Sequence, residues 1–182
     1  MRIITGTLKG RKIRVPPNIR IRPTSDRAKE SIFSIIEVRK HLAGSTILDL
    51  FAGSGNLGFE AISRGAEKTV FVEMSAEAVA HIESTARHFG VEKRIYAICS
   101  SVEHFLSGPS RPFDIVFADP PYEYGEMTTL PDIILQKEWL KDEGWFILEH
   151  DKRHDFSKHP HCVFTKPYGR TIVTIFAREE AP

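Results

Sequence analysis

The chain has 182 residues, of which 41% are hydrophobic, and its formal net charge is +1. This length predicts one domain with a small appendage, and the even scatter of apolar runs predicts a packed globular core. No apolar stretch approaches the length of a membrane span, and the two cysteines, Cys99 and Cys162, match no metal or redox spacing. In the absence of a secretory signal, we expect a cytoplasmic protein with reduced, buried thiols.

Charge is distributed unevenly along the chain. Residues 1–40 contain eleven lysines and arginines against three acidic residues, whereas the remainder contains 14 basic and 21 acidic side chains. A basic end on an acidic body predicts contact with a polyanion through one face. We therefore divide the chain into a basic extension, residues 1–41, and a main domain, residues 42–182.

Two short extended runs, residues 2–4 and 12–15, begin the chain and are joined by a turn that contains glycine. They predict a β-hairpin with basic residues on its strands and turn. After a loop rich in proline, Thr24 or Ser25 is placed to cap a helix that runs to about His41.

From residue 46 onward, predicted strands alternate with predicted helices. This alternation predicts an α/β fold with a mostly parallel sheet, helices on both faces, and a terminal hairpin that adds an antiparallel strand. The turn of that hairpin is expected at residues 167–169. Strands are predicted at 46–51, 68–73, 94–99, 113–118, 144–149, 162–165 and 171–176, and helices at about 56–64, 75–89, 101–107 and 129–140.

The first of these strands leads into a turn rich in glycine. Gly53, Gly55 and Gly58 have the spacing G-x-G-x-x-G between a strand and a helix. Such a turn lets a cofactor approach the backbone, and Glu73, near the end of the next strand, has the spacing of a carboxylate that binds ribose hydroxyls. Taken alone, the motif predicts a dinucleotide site.

Asp49 changes that interpretation, because a carboxylate beside the turn would repel a pyrophosphate and attract a cation. S-adenosylmethionine carries an ammonium and a sulfonium, and its ribose still needs an acidic partner, so we predict that it is the cofactor. Met74 is placed to pack on the adenine, and Ser101 is placed to meet its edge. The predicted cofactor contacts are Asp49, Phe51, Ala52, Gly53, Ser54, Gly55, Glu73, Met74, Ser101, Val102 and Asp119.

The most informative residues are the four that follow the predicted strand at 113–118: Asp119, Pro120, Pro121 and Tyr122. The prolines have fixed φ and no N–H, so the backbone is stiff and its carbonyls are free to face outward. The Asp119 carboxylate and the Pro120 carbonyl can accept the hydrogens of an exocyclic amine, and the Tyr122 ring can stack on an unstacked base. We expect Asp119, Pro120 and Tyr122 to be catalytic by holding that amine in line with a methyl donor, and no metal is required.

These residues resemble the class I S-adenosylmethionine-dependent methyltransferases that modify exocyclic amines. More narrowly, the chain resembles the bacterial 16S ribosomal RNA guanine-N2 methyltransferases of the RsmD type, and the resemblance covers nearly the whole chain. It is carried by residues 2–6 and 9–11, by residues 22–27, and by the glycine and Asp-Pro-Pro-Tyr motifs. The last two motifs are shared by many amine methyltransferases, whereas residues 22–27 narrow the choice.

The resemblance implies a Rossmann-like class I methyltransferase fold. Its sheet would have seven mostly parallel strands with the last one antiparallel, and the N-terminal β-hairpin and helix would form an RNA-binding extension that packs on the core. The implied partner is 16S rRNA in an assembling small ribosomal subunit, and we expect a monomer. The candidate substrate contacts are Lys9, Arg11, Lys12, Arg22, Arg27 and Tyr122, although Arg22 and Arg27 could instead bind the cofactor's carboxylate.

Several alternatives stay open. A DNA or RNA adenine-N6 methyltransferase would use the same tetrapeptide, but the basic N-terminus leaves little chain for a separate sequence-reading domain. An NAD-dependent oxidoreductase is disfavoured by Asp49, and a non-catalytic RNA-binding assembly factor by Asp119 and Tyr122. A metal site is disfavoured because the histidines of the last long loop have no cysteine or well-placed acidic ligand; they are His150, His154, His159 and His161.

Overall fold

The computed structural model of the protein describes residues 1–15 and 26–178. Its helices are α1 (Asp26–Arg39), α2 (Asn56–Ser63), α3 (Ala76–Phe89), α4 (Val102–Ser107) and α5 (Leu130–Gln136), with a short 3₁₀ helix at Glu92–Arg94. Its strands are β1 (Thr46–Leu50), β2 (Lys68–Glu73), β3 (Ile95–Cys99), β4 (Phe113–Ala118), β5 (Leu140–His150), β6 (Cys162–Tyr168) and β7 (Thr171–Ala177).

The seven strands form one sheet in the order β3-β2-β1-β4-β5-β7-β6. β1 pairs in parallel with β2 and β4, and β7 runs antiparallel between β5 and β6. The predicted Rossmann-like class I fold, with its last strand antiparallel, is confirmed. The strand order reverses between β1 and β4, and open α/β sheets bind ligands beyond the carboxyl ends of the strands at such a point.

Side chains along the parallel strands alternate between two apolar cores. In β1, Leu48 and Leu50 pack with α4 and α5 on one face, and Ile47 packs with α1 and α2 on the other. Because helices cover both faces, these strands are nearly continuous apolar runs. Burying each aliphatic side chain contributes about 1.5–3 kcal/mol, and this packing fixes the ends of β1 and β4 beside each other.

The N-terminal hairpin (residues 1–15) is held mainly by packing. Its antiparallel pairing is an isolated bridge between Arg2 and Lys12. A Cβ added at Gly6, whose φ is +90°, would lie 1.9 Å from the backbone oxygen of Ser63, so the turn lies directly on the end of α2. The hairpin contributes three buried side chains to a cluster with α2 and α3, namely Ile3, Leu8 and Ile13. The predicted helix cap at Thr24 or Ser25 lies outside the described residues.

The structure corrects the predicted boundary between the fifth helix and the fifth strand. The periodicity predicts a helix over 129–140, but α5 is shorter and β5 starts earlier than expected. Glu138 has a φ of 56° and lies in the turn between α5 and β5. The buried Trp139 follows it, and the centres of the Trp139 and Phe105 rings are 5.0 Å apart. A glutamate gives no sequence sign of this left-handed conformation, which usually favours glycine.

Two smaller expectations are also corrected. β6 extends through Pro167 and Tyr168, and the turn consists of Gly169 and the residue after it. β6 is an edge strand, where a proline without an N–H is tolerated.

Cys99, on the edge strand β3, is exposed rather than buried, and Cys162 is half-buried. Within residues 1–15 and 26–178, no helix has the length and apolar character needed to cross a membrane.

Candidate active site

The carboxyl ends of β1, β2 and β4 border a cavity of about 390 Å³. Its wall contains every residue predicted to contact the cofactor except Gly55, which is the residue that precedes α2. The predicted contacts that the structure brings together here are Asp49, Phe51, Ala52, Gly53, Ser54, Glu73, Met74, Ser101, Val102 and Asp119.

The charged side chains of this wall all have one sign. Among the described residues that line the cavity, there are five carboxylates and no lysine or arginine. Carboxylates that share a cleft create a negative potential that attracts a cationic ligand and repels a phosphate. The five are Asp49, Glu73, Glu77, Glu103 and Asp119.

The glycine loop (residues 51–55) turns sharply between β1 and α2. Phe51 has a φ of 56° and Gly55 a φ of 75°, and such a conformation costs a non-glycine residue about 1–3 kcal/mol. The Phe51 ring packs edge-on against Tyr124 at 4.9 Å, and this contact offsets part of that cost. A Cβ added at Gly58 would lie 2.2 Å from the Phe71 ring, so the third glycine of the motif allows α2 to pack closely on β2.

Asp49 lies at the floor of the cavity and is only 3% exposed. One of its carboxylate oxygens accepts a hydrogen bond of 2.9 Å from the Gly58 N–H. Burial raises the pKa of Asp49 well above its usual range, the neighbouring carboxylates of Asp119 and Glu73 add to the rise, and the Gly58 hydrogen bond opposes it. Such a group becomes a favourable partner for a cation, since a positive ligand restores the ionised form.

Glu73 is held by backbone amides at the end of β2. Its two oxygens accept hydrogen bonds of 2.9 Å from the N–H groups of Gly53 and Ser75. Each carboxylate oxygen keeps a further lone pair, so Glu73 can still accept from ribose hydroxyls. Met74 is 75% exposed although it lines the cavity, and Ser101 caps α4 by accepting a hydrogen bond from the His104 N–H.

The target loop (residues 119–122) borders the same cavity. Asp119, Pro120 and Pro121 lie in its wall, whereas Tyr122 lies outside it. Asp119 and Pro120 are thus beside the predicted cofactor site, as the strand order requires. Tyr122 instead contacts Arg153, whose guanidinium carbon lies 5.8 Å from the centre of the tyrosine ring.

Tyr124 is a wall residue that sequence reasoning missed. Its N–H donates to the Pro121 carbonyl, and its ring contacts Phe51 in the glycine loop. Burial raises the pKa of the Tyr124 hydroxyl, and its hydrogen bond to the charged Glu103 raises it further. The phenol therefore stays protonated and links α4 to the target loop. The sequence feature that could have indicated this residue is the presence of a second tyrosine two positions after Tyr122.

The predicted basic substrate contacts that the structure describes lie on two elements. Lys9, Arg11 and Lys12 are exposed on the N-terminal hairpin, and Arg27 is exposed on α1. Arg11 also makes internal contacts, because it donates to the backbone oxygen of His88 at 3.1 Å and lies over the neighbouring Phe89 ring. Arg22 is outside the described residues.

A buried ion pair that sequence reasoning also missed joins α1 to α2, and both of its members also bind the backbone of the hairpin. Lys29 and Glu60 are fully buried, with Nζ 3.2 Å from Oε2. Lys29 also donates to the Arg2 carbonyl and to the Asn56 side chain, while Glu60 accepts from the backbone amides of residues 4 and 5. Burial lowers the pKa of Lys29, and Glu60 opposes that shift. The sequence feature that could have indicated this pair is a lysine on the apolar face of α1.

Two of the histidines at or after the end of β5 make structural contacts. His150 is buried beside Thr174, and His159 lies 3.4 Å from the exposed Asp132. Across the parts of the chain that the structure describes, no group of three or more histidine, cysteine, aspartate or glutamate side chains is arranged to hold a metal ion.

Comparison with known proteins gives a consistent picture. The model of a family described as conserved hypothetical protein 95 matches residues 1–177. The Bacillus subtilis protein YlbH, provisionally named an rRNA methyltransferase, is 33% identical over 184 residues, which is 98% of this chain and 99% of YlbH. The Escherichia coli ribosomal RNA small subunit methyltransferase D is 34% identical over 152 residues, covering 83% of this chain and 75% of that protein.

A solved structure agrees over the whole length. The Escherichia coli protein yhhF, provisionally named a methyltransferase, superposes with a TM-score of 0.86 at 29% identity, and the match covers 100% of this chain and 99% of that one.

Proposed function

This chain belongs to the family described as conserved hypothetical protein 95, and on that premise we propose that it methylates the exocyclic N2 amine of a guanine in 16S ribosomal RNA. Its relatives include ribosomal RNA small subunit methyltransferases D; the chain is a class I, RsmD-type rRNA methyltransferase, and its cofactor is S-adenosylmethionine. The observation that carries the proposal is one cavity wall shared by Asp49 and Glu73 with Asp119 and Pro120. The choice of guanine N2 follows from the family resemblance.

The wall suits this cofactor better than a dinucleotide. When bound, S-adenosylmethionine supplies an electrophilic methyl group on a positively charged sulfur. The five carboxylates favour that charge, and no lysine or arginine among the described wall residues is available to neutralise a pyrophosphate. We propose that Glu73 accepts hydrogen bonds from the ribose, that Asp49 contributes negative potential from the floor, and that Met74 covers the adenine.

The target loop performs the second part of the proposed reaction. An exocyclic amine is a weak nucleophile because its lone pair is delocalised into the ring. The Asp119 carboxylate and the Pro120 carbonyl accept its two hydrogens, which directs the nitrogen toward the cavity and favours a localised lone pair. Bound S-adenosylmethionine would supply the methyl group to the nitrogen, and Asp119 would receive the proton that the nitrogen loses. Stacking on Tyr122 contributes roughly 1–3 kcal/mol toward the cost of unstacking the base.

The basic N-terminal segment is the proposed RNA contact. Lys9, Arg11 and Lys12 are exposed on a hairpin that packs on α2 and α3, so they present positive charge on a surface fixed to the methyltransferase core. We propose that residues 1–41 act as an RNA-binding extension of the domain at residues 42–182. The proposed substrate is 16S rRNA within an assembling small subunit, modified by a monomer in the cytoplasm.

Nucleoside mass spectrometry tests the proposal. The protein is incubated with methyl-labelled cofactor and, in parallel, small subunits, naked 16S rRNA and DNA. We expect labelled N2-methylguanosine from the ribosomal RNA and none from DNA. N6-methyladenosine would favour the adenine alternative, and the absence of label in every substrate would favour a non-catalytic assembly factor.

A further inference from the structure

The β5–β6 loop (residues 151–161) contacts the target loop through one side chain. Arg153 Nη2 donates a hydrogen bond of 2.8 Å to the backbone oxygen of Tyr122. The same guanidinium lies over the Tyr122 ring, 5.8 Å from its centre. Arg153 thus contacts both the backbone and the ring of the residue that is proposed to stack on the base.

The guanidinium is itself fixed within its own loop. Arg153 Nε and Nη2 lie 2.8 and 2.7 Å from one carboxylate oxygen of Asp151. The backbone N–H of Arg153 donates to the other oxygen at 3.0 Å. An exposed arginine normally loses considerable rotamer entropy when it holds one geometry. Here a 58% exposed side chain is oriented by a carboxylate that is 17% exposed, so its position is set before any substrate arrives.

A buried histidine anchors this pair to the sheet. His150 Nδ1 lies 2.9 Å from the backbone oxygen of Asp151, and its Nε2 lies 2.8 Å from the Thr174 hydroxyl on β7. Burial lowers the pKa of His150, so the imidazole is neutral. A carbonyl only accepts, so Nδ1 carries the proton and Nε2 accepts from Thr174. The chain of contacts therefore runs from the sheet through Asp151 and Arg153 to Tyr122.

We propose that Arg153 is a positioning residue for methyl transfer: it holds the ring and backbone of Tyr122 so that the target amine lies in line with the methyl group. This inference rests on the proposed function. The contact requires the planar fork of a guanidinium, which reaches the Asp151 carboxylate and the Tyr122 carbonyl together, and a lysine ammonium does not reproduce that geometry. If Arg153 only attracted RNA, its positive charge would be sufficient and a lysine could replace it.

Steady-state kinetics with the RNA substrate test this role in the full-length protein. Arg153→Ala is expected to lower kcat roughly 10- to 100-fold, because a displacement of about 1 Å at the reacting group has that effect. Cofactor affinity, measured by calorimetry, should stay unchanged, because Arg153 lies outside the cavity wall. Arg153→Lys should remain impaired in kcat. The matched control is Lys152→Ala, which removes an exposed positive charge from the same loop and should keep the wild-type kcat.

A double-mutant cycle separates positioning from general support of the fold. If Arg153 acts through Tyr122, the Tyr122→Ala/Arg153→Ala double variant should lose clearly less kcat than the two single losses combined, because the ring contact is already absent in Tyr122→Ala. Additive losses would overturn the proposal, and so would a wild-type kcat in Arg153→Ala or a loss that Arg153→Lys fully restores. A wild-type protein that methylates no RNA would overturn the proposed function itself, a result distinct from active wild-type protein with unaffected Arg153 variants.

Discussion

The two sides of the cavity are built in different ways. On the cofactor side, Asp49 and Glu73 are held by backbone N–H groups of Gly53, Gly58 and Ser75. The Gly53 and Ser75 amides belong to the turns that follow β1 and β2, and the Gly58 amide belongs to the first turn of α2, so forming the sheet and this helix also forms this side. Hydrogen bonds from backbone amides to carboxylates are strong and need no mobile side chain to be ordered.

The target side depends instead on side chains that come from distant parts of the chain. Arg153 reaches Tyr122 from the β5–β6 loop, and Tyr124 packs on Phe51 of the glycine loop. These contacts are partly exposed, and water competes with them. The proposed cofactor half of the site is therefore preformed, whereas the geometry of the proposed target half can be lost without unfolding. Variants on the two sides should therefore fail in different ways.

The largest expected effect is that of Asp119→Ala, which should impair the target side and leave the cofactor side intact. Asp119→Ala removes an acceptor of the target amine and its proton, and losing such a group typically costs 10²–10⁴-fold in rate. We expect methyl transfer to fall by about 10³-fold while calorimetry shows cofactor affinity within about threefold of wild type. An Asp119→Ala protein that transfers methyl groups normally would show that the target loop has been assigned wrongly.

Glu73→Ala should produce the opposite pattern. It removes a charged acceptor for the ribose and the partner of the Gly53 N–H, and hydrogen bonds to charged groups contribute about 1.5–3 kcal/mol. Calorimetry should therefore show S-adenosylmethionine binding weakened by roughly 10- to 100-fold. The matched control is Glu77→Ala, a cavity carboxylate with no proposed ribose contact. Equal weakening in both variants would contradict a specific role for Glu73.

Asp49 should make cofactor binding depend on pH. Its pKa is raised in the ligand-free pocket, so a cation that favours the ionised form must release a proton on binding. Affinity should then rise with pH, by at most about tenfold per unit, until the pH passes the raised pKa of Asp49 in the free protein. Calorimetry in buffers of different ionisation enthalpy measures the released proton.

Asp49→Asn serves as the control for that experiment. It should flatten the pH profile of cofactor affinity. It should also raise the melting temperature at pH values above the usual pKa of aspartate, because a carboxyl whose pKa is raised by folding lowers the stability wherever it is ionised in the unfolded chain. An unchanged profile in Asp49→Asn would assign the pH dependence to another group.

The smallest effect concerns the hairpin, which is remote from the chemistry. Changing Lys9, Arg11 and Lys12 to glutamate should weaken RNA association and make its dependence on salt shallower, by about 0.7–0.9 logarithmic units per lost phosphate contact. Filter binding over a salt series measures both quantities. Cofactor affinity should not change. If RNA affinity and its salt slope were also unchanged, the hairpin would not be the RNA-binding face.

The sequence predicted which residues border one side of the cavity, because their positions depend on local patterns. The glycine loop directly follows β1, Asp49 and Glu73 lie at or near the carboxyl ends of β1 and β2, and the sheet order brings Asp119 beside them. Tyr124 and Arg153 could not be predicted in the same way, since their roles come from contacts between distant loops. The same reason applies to Lys29, whose buried partner Glu60 is on another helix, and to Glu138, whose positive φ no local residue type indicates.

A single-turnover assay at saturating cofactor tests the division between the two sides most directly. With cofactor already bound, Glu73→Ala should transfer its methyl group to the RNA within about fivefold of the wild-type rate, because its defect is in binding. Asp119→Ala should stay nearly inactive at any cofactor concentration. The account would be contradicted if excess cofactor restored Asp119→Ala, or if Glu73→Ala stayed inactive when its cofactor site was full.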